Sequence, residues 1–236
     1  MLKKTISKLA GYSGERAMVR CQQAELALFE RNPEAVLLDC GCRDGEFTLK
    51  KAGKIGTKKI QGIEILESTA NIAQSRGIEV YRRDLQQGFP CEDETIDVVS
   101  ASQIIEHLPD TDGFLREVKR VLKKGGYVII STPNLASLDS ILFLMGGWQP
   151  AAANVSEETC AGVFSLTGAK IGDDDGPRHQ RLFTMKALRE LMEYHGFRVV
   201  RKRGSGFYPL PLPLDSICAT INPAHATFIV MKGKKI

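Results

Sequence analysis

The 236-residue sequence has no apolar run that reaches the roughly 18 residues a membrane-crossing helix needs. It has no internal repeat and no low-complexity tract. Strong charge of one sign is missing too. Lysine plus arginine exceed the acids by only four, and the excess gathers at Arg198 to Arg203 and Lys232 to Lys235. That is too mild and scattered to argue nucleic-acid binding, although it leaves an RNA acceptor open. Six cysteines occur, at 21, 40, 42, 91, 160 and 218, without Cys-x-x-Cys or Cys/His zinc spacing. No secretory pattern is read, so reduced thiols in a cytoplasmic protein are the expectation. The Gly-x-Gly-x-x-Gly fingerprint of dinucleotide sites is absent, and so is the P-loop. With 43% hydrophobic content, the chain can bury a full core as one domain over residues 1–236.

What is there is organised around Val36-Leu37-Leu38-Asp39-Cys40-Gly41-Cys42-Arg43-Asp44-Gly45. An apolar run ends in an acid, and a glycine turn then opens into Glu46-Phe47-Thr48-Leu49. This reads as a buried strand, a tight loop and the first turn of a helix. In open α/β sheets ligands bind outside the carboxyl ends of such strands. Arg43 and Glu46 fill the second and third glycine positions of the dinucleotide pattern. Asp44 and Glu46 put carboxylates where a helix N-terminus would otherwise attract phosphate. A pyrophosphate is disfavoured. A ligand with an ammonium group and no phosphate fits better, with Asp39 as acceptor, and S-adenosylmethionine (SAM) is such a ligand; a plain connecting turn is the alternative.

In chain order, Glu15 to Glu30 reads as a helix within an N-terminal segment, residues 1–34, with Ala17, Met18, Cys21, Leu26, Leu28 and Phe29 as buried candidates. Strands are expected at Ala35 to Asp39, Lys59 to Ile65, Ile78 to Tyr81, Thr95 to Ala101 and Gly126 to Ser131. Helices from Asp44, Ser68 and Thr111 separate them, apart from the step between the third and fourth strands. This alternation argues a parallel sheet with helices on both faces. A helix from Thr184 to His195 precedes strands at Arg198 to Arg203 and Ala226 to Lys232, which suggest an antiparallel pair at one sheet edge. Acids close three successive strands. Glu64, about 20 residues after the glycine loop, is placed to accept from ribose hydroxyls or to be solvated. Asp84 could bond an adenine amino group or cap a turn.

At this point the chain resembles the class I SAM-dependent methyltransferases, from about Val36 to Lys232. Leu38-Asp39-Cys40-Gly41-Cys42-x-x-Gly45 is similar to their first motif. Thr95-Ile96-Asp97-Val98-Val99 with Ile105-Glu106-His107-Leu108-Pro109-Asp110 is similar to the fourth. Leu122 to Asn134 is similar to the fifth, and the pattern is nearest to O-methyltransferases of the ubiquinone-biosynthesis type. That resemblance implies a Rossmann-like three-layer α/β sandwich with a seven-stranded, mostly parallel sheet whose last strand is antiparallel. It implies SAM across the first four strand ends, at Asp39, Gly41, Cys42, Arg43 and Gly45, then Glu64 and Ile65, Asp84 and Leu85, and Ser102 and Gln103.

Two departures stand out. Arg43 takes a usual glycine position, where a positive φ costs roughly a kcal/mol; its side chain is expected in solvent or on the SAM carboxylate. Some ubiquinone-type relatives bind a divalent ion through Glu-x-x-Glu-His, whereas Gln103 here replaces the first acid. No metal is expected. For a base near neutral pH, His107 and His179 are the candidates, His107 after the fourth strand and His179 in the segment before Phe183; orienting a loop is the alternative for both. His195 and His225 read as structural. The insertion 134–182 reads as a lid or substrate-binding segment. Its stripe Leu138, Ile141, Leu142, Met145 and Trp148 would be core, acceptor pocket or a membrane-touching face. Asp173-Asp174-Asp175 reads as a solvated turn, and Phe207 to Pro213 as the rim of the pocket or a bridge at the sheet edge. The function expected is methyl transfer to a small-molecule or lipid-linked acceptor, most plausibly at oxygen. The alternatives are N- or C-methyl transfer, or a non-catalytic SAM-fold subunit that binds a partner.

Overall fold

The computed structural model describes residues 16–153, 155–156, 158–159, 161–163, 178–211 and 213–236. The acidic turn at Asp173 to Asp175 and the start of the N-terminal segment lie outside these residues. Seven strands form one sheet: β1 (Val36–Cys40), β2 (Lys59–Glu64), β3 (Glu79–Arg82), β4 (Ile96–Ser102), β5 (Leu122–Pro133), β6 (Phe197–Ser205) and β7 (Phe228–Lys235). The helices are α1 (residues 16–26), α2 (Glu46–Ile55), α3 (Glu67–Ser75), α4 (Thr111–Val121), α5 (Leu138–Met145), α6 (Met185–Tyr194) and α7 (Leu214–Ile221).

The sheet order is β3-β2-β1-β4-β5-β7-β6. The pairings from β3 to β5 are parallel, and β7 runs antiparallel to both β5 and β6. The last strand is therefore antiparallel as expected, and β6 and β7 form the expected antiparallel pair at one sheet edge, with β6 outermost. Strand β7 is inserted between β5 and β6, and α7 fills part of the connection that the sequence reads without a helix. Order reverses between β1 and β4, the switch point where ligands of open α/β sheets bind.

Strand periodicity builds the two faces. Leu37, Val98, Ile129 and Val230 pack on one side with Cys21 of α1, with Leu28 in the turn after it, and with Ala52 and Ile55 of α2. Their neighbours Leu38, Val99, Ile130 and Met231 face the other side, with Phe114, Leu115 and Val118 of α4 and Leu188 and Met192 of α6. Helix α4 buries Phe114, Leu115, Val118 and Val121, one stripe at helical spacing, and Asp110 caps it through the amide of Gly113 at 2.7 Å.

Helix α2 is different. Its buried face is Thr48, Lys51, Ala52 and Ile55, so a lysine sits in an apolar stripe. Lys51 reaches the last acid of β1, with Nζ 2.8 Å from Asp39 Oδ1 and 3.0 Å from Oδ2. Thr48 donates to Asp39 Oδ2 at 2.5 Å. Both charged side chains are about 2% exposed. Removing one member of such a pair strands the other charge, whereas removing both relieves it. Lys51→Met is expected to destabilise the protein by about 3–5 kcal/mol in urea unfolding. The double variant Asp39→Asn/Lys51→Met is expected to recover most of that loss. Equal stability of Lys51→Met and the parent would show that the pair does not hold α2 to β1.

Candidate active site

The loop after β1 alternates left-handed residues: Gly41 at φ 71°, Arg43 at φ 50° and Gly45 at φ 81°. Two are glycine for a steric reason as well. A Cβ on Gly41 would lie 2.1 Å from Ile104 Cδ1, and one on Gly45 2.5 Å from Ile78 Cδ1. Arg43 takes the strained position that the sequence flags, and its side chain is exposed to solvent. Its backbone amide is what matters locally. It donates to Glu64 Oε2 at 2.9 Å, while the amide of Leu66 donates to Oε1 at 2.9 Å. Glu64, 6% exposed at the end of β2, thus ties the first loop to the entry of α3.

These residues suit an adenosyl ligand. Each Glu64 oxygen accepts one amide and has capacity for a further donor, as two ribose hydroxyls require. Ile65 follows it and is 60% exposed, an apolar surface beside a buried acid. At the end of β3 Asp84 is half-buried and accepts from the amide of Gln86 at 2.9 Å, and Leu85 beside it is half-buried against the core. An acid followed by an apolar side chain at two neighbouring strand ends matches a ribose and a base.

Two expected cofactor residues are differently employed. Asp39 carries a charge that Lys51 already compensates: its Oδ2 accepts from Thr48 and Lys51, and its Oδ1 accepts from Lys51 alone. Cys42 is buried among Ala70, Ala73 and Ile78, and burial pushes its thiol up to about 12. It is a packing residue and an inert thiol.

The exit of β4 gathers most of the polar groups. Ser102 donates to Glu25 of α1 in a short hydrogen bond. Gln103, at φ 54°, turns its amide to Ser131 Oγ at 3.0 Å. A short 3-10 turn, Ile105–His107, follows. Glu106 is 1% exposed, and neither carboxylate oxygen has a hydrogen-bond partner. Its main-chain carbonyl accepts from the amides of Gln180 at 2.7 Å and Arg181 at 3.0 Å, which draws the 178–183 segment across the turn. The rings of His107 and His179 consequently lie 4.8 Å apart at 59°. His107 Nδ1 is 3.4 Å from the carbonyl of Arg178, and His179 Nδ1 is 2.9 Å from that of Ala152. Ligand atoms of Glu106, His107 and His179 all fall within 4.8 Å of one another. Two histidines distant in sequence are thus brought together beside a carboxyl that the sequence offers only as a metal ligand.

Glu25 and Glu106 are the polar residues of this site that the sequence reading did not pick out as working groups. A signal for Glu25 exists: it shares the buried stripe of α1 with Ala17 and Cys21. A glutamate on an apolar helix face asks for a partner. His195 and His225 lie elsewhere, the first on Asp112 at 2.6 Å and the second on the carbonyl of Ala136 at 2.7 Å.

Among known proteins, the methyltransferase domain family matches this chain over residues 14–202. The ubiquinone biosynthesis O-methyltransferase of Pseudomonas putida is 30% identical over 116 residues, which are 47% of this chain and 49% of that protein. The chain therefore matches about half the length of this curated relative. A SAM-dependent methyltransferase from Thermotoga maritima superposes with a TM-score of 0.61 at 22% identity, covering 99% of this chain and 97% of that one. A Haloferax volcanii methyltransferase in complex with the Trm112 methyltransferase activator gives a TM-score of 0.64 at 13% identity, covering 97% and 93%. At these identities the solved structures speak for the fold.

The setting of Glu106 has a measurable consequence. Burial pushes its carboxyl from 4.5 up to about 8, and the nearby Glu25 adds to the rise. The folded state keeps a proton that the unfolded chain has released, so stability falls as pH rises from about 4.5 to about 8. In urea melts with chelator present, Glu106→Gln is expected to match the parent at the acid end of this window. Above it the variant should be more stable by a few kcal/mol. Parallel curves for the two proteins would place the carboxyl in a wetter setting than its burial indicates.

Proposed function

Because the chain belongs to the methyltransferase domain family, we propose that it transfers the methyl group of SAM to an oxygen of a small-molecule or lipid-linked acceptor. The observation that carries this reading is the pairing of His107 and His179 over Glu106, at the exit of β4 and beside the acid-bearing ends of β1 to β3. Bound SAM supplies an electrophilic methyl group on a sulfonium. The protein's part is to hold the two reactants in line and to take up the acceptor's proton.

Glu64 and Asp84 hold the ribose and adenine, with Ile65 and Leu85 against the base. The loop from Gly41 to Gly45 and the Ser102-Gln103 turn enclose the methionine end. His179 is suited to the proton. A carbonyl only accepts, so the 2.9 Å contact with Ala152 puts hydrogen on Nδ1 and leaves Nε2 of the neutral ring as a base. A hydroxyl acceptor needs that base, and this favours oxygen over the alternatives of nitrogen or carbon.

The acceptor side is apolar. In α5, Leu142 is 47% exposed and Met145 80%, and Trp148 just beyond is 45% exposed. These three residues are exposed, while Leu138 at the start of the stripe packs against a small core cluster. The stripe supports a lid or a hydrocarbon-facing surface, and with it a lipid-linked acceptor or peripheral membrane contact. No helix among the described residues is long and apolar enough to cross a membrane. A metal-assisted variant of the reaction draws on the three donors within 4.8 Å, but Gln103 leaves that set one carboxylate short for a hard cation.

Calorimetric titration with SAM, followed by a labelled-methyl screen across lipid, phenol, sugar and RNA fractions, tests the reading. Glu64→Ala is expected to lose about 1.5–3 kcal/mol of SAM binding, more than about tenfold in affinity. On the acceptor found, His179→Ala is expected to lower kcat about 100- to 10,000-fold with SAM affinity intact, and turnover is expected to survive chelation. A SAM-binding protein that labels no fraction would be a partner-binding subunit instead. Turnover lost in EDTA and restored by magnesium would establish the metal-assisted variant.

A further inference from the structure

We propose that Glu25, carried in by the N-terminal helix α1, is the anionic partner of the α-ammonium group of the bound cofactor. This rests on the reading that the strand ends hold SAM.

An ammonium leaving water needs an anion or several acceptors in exchange. The acid at the end of β1 already has its charge compensated. Asp39 is already neutralised by Lys51 and bonded by Thr48. Glu64 accepts from two loop amides at the end of β2, and Asp84 stands one strand further out on β3. The methionine end of the ligand lies on the other side, where β1 adjoins β4 through the pairing of Cys40 with Ala101. Two carboxylates are found at that exit. Glu106 faces the histidine pair. Glu25 faces Ser102, the last residue of β4, and accepts from it.

Glu25 is 1% exposed. Its other oxygen is 3.7 Å from the thiol of Cys21, a weak donor. Among the described residues no lysine, arginine or histidine forms an ion pair with it. The opposing charge that acts on it is that of Lys51, which is paired with Asp39. Burial accordingly raises the carboxyl's pKa, with the Lys51 charge and the Ser102 hydroxyl working the other way. A buried acid with neutral donors only is an incomplete arrangement, and a ligand cation completes it.

The placement is not that of a loosely attached helix. Arg20 of α1 pairs with Asp215 and bonds Ser216 of α7. Beyond the helix, Lys232 Nζ of β7 bonds the carbonyl of Leu28 at 2.7 Å and Glu30 at 2.8 Å, over the ring of Tyr127 at 3.6 Å. These anchors fix the helix while Glu25 is directed at the β4 exit.

The test compares two nucleosides by calorimetry. S-adenosylhomocysteine carries the ammonium, and 5′-methylthioadenosine lacks the whole amino-acid end. Glu25→Gln is expected to weaken S-adenosylhomocysteine by about tenfold or more while leaving 5′-methylthioadenosine unchanged. Arg20→Ala, which loosens α1 without touching the carboxylate, is the control and is expected to show no such selectivity. An equal loss for both ligands in Glu25→Gln would make the residue a support for α1 and overturn the proposal, as would no loss for either. If Glu25→Gln does not fold, Glu25→Asp, which draws the charge back by one methylene, must show the same selective loss. A parent protein that binds neither nucleoside overturns the cofactor reading and this proposal together. Binding of both by the parent, without selectivity in the variants, overturns this proposal alone.

Discussion

The buried ion pair between Asp39 and Lys51 is the constraint on which the site depends. It joins the central strand of the sheet to the first helix after it, and it does so directly beneath the glycine loop. With α2 held in register, Gly41, Arg43 and Gly45 must turn within a few residues, and each takes a left-handed conformation to do so. The amide of Arg43 is then presented to Glu64. A carboxylate that resembles a ligand-binding residue in its motif is therefore an internal tie, and the pocket's wall is set by the strength of that tie. Buried pairs of this kind contribute little net stability against an apolar substitute, so their value lies in geometry.

A second tie shapes the exit of β4. The carbonyl of Glu106 gathers the amides of Gln180 and Arg181, and Asn134 bridges to Phe183 in a short parallel contact. These main-chain bonds carry the 178–183 segment over the end of the sheet and set His179 against His107. The same turn leaves the Glu106 side chain buried with no hydrogen-bond donor. An unsatisfied buried carboxyl costs stability. The hydroxyls of Ser100 in β4 and Thr132 in β5 are likewise buried without a partner, so unpaired polar groups gather around these two strands.

The surface above the site is unusual in being apolar on two neighbouring helices. Leu138 of α5 packs with Cys218 and Ala219 of α7. Outward from that contact, Leu142, Leu144 and Met145 on α5 and Ile217 and Ile221 on α7 remain exposed. Helix α5 buries only Ser140. Such a surface fits the apolar end of an acceptor or a lipid boundary better than a self-contained core.

The sequence by itself determined a parallel sheet with helices on both faces and an antiparallel pair at one edge, because alternation of apolar runs with helical stripes depends only on local spacing, while the seven-stranded Rossmann-like form was implied by the motif resemblance. Asp39, Glu64 and Asp84 could be placed at successive strand ends for the same reason, and the motif resemblance named the family that the match over residues 14–202 bears out. Local spacing does not say which way a side chain is paid back for its burial. Lys51 lies 12 residues from Asp39, Ser102 77 from Glu25, and His179 72 from His107, and none of these contacts leaves a periodic trace. Only the packed sheet decided that Asp39 is neutralised within the protein, that the apolar stripe of α5 faces outward, and that β7 enters between β5 and β6. Those outcomes follow from contacts between elements far apart in the chain, where tertiary geometry overrides the local pattern.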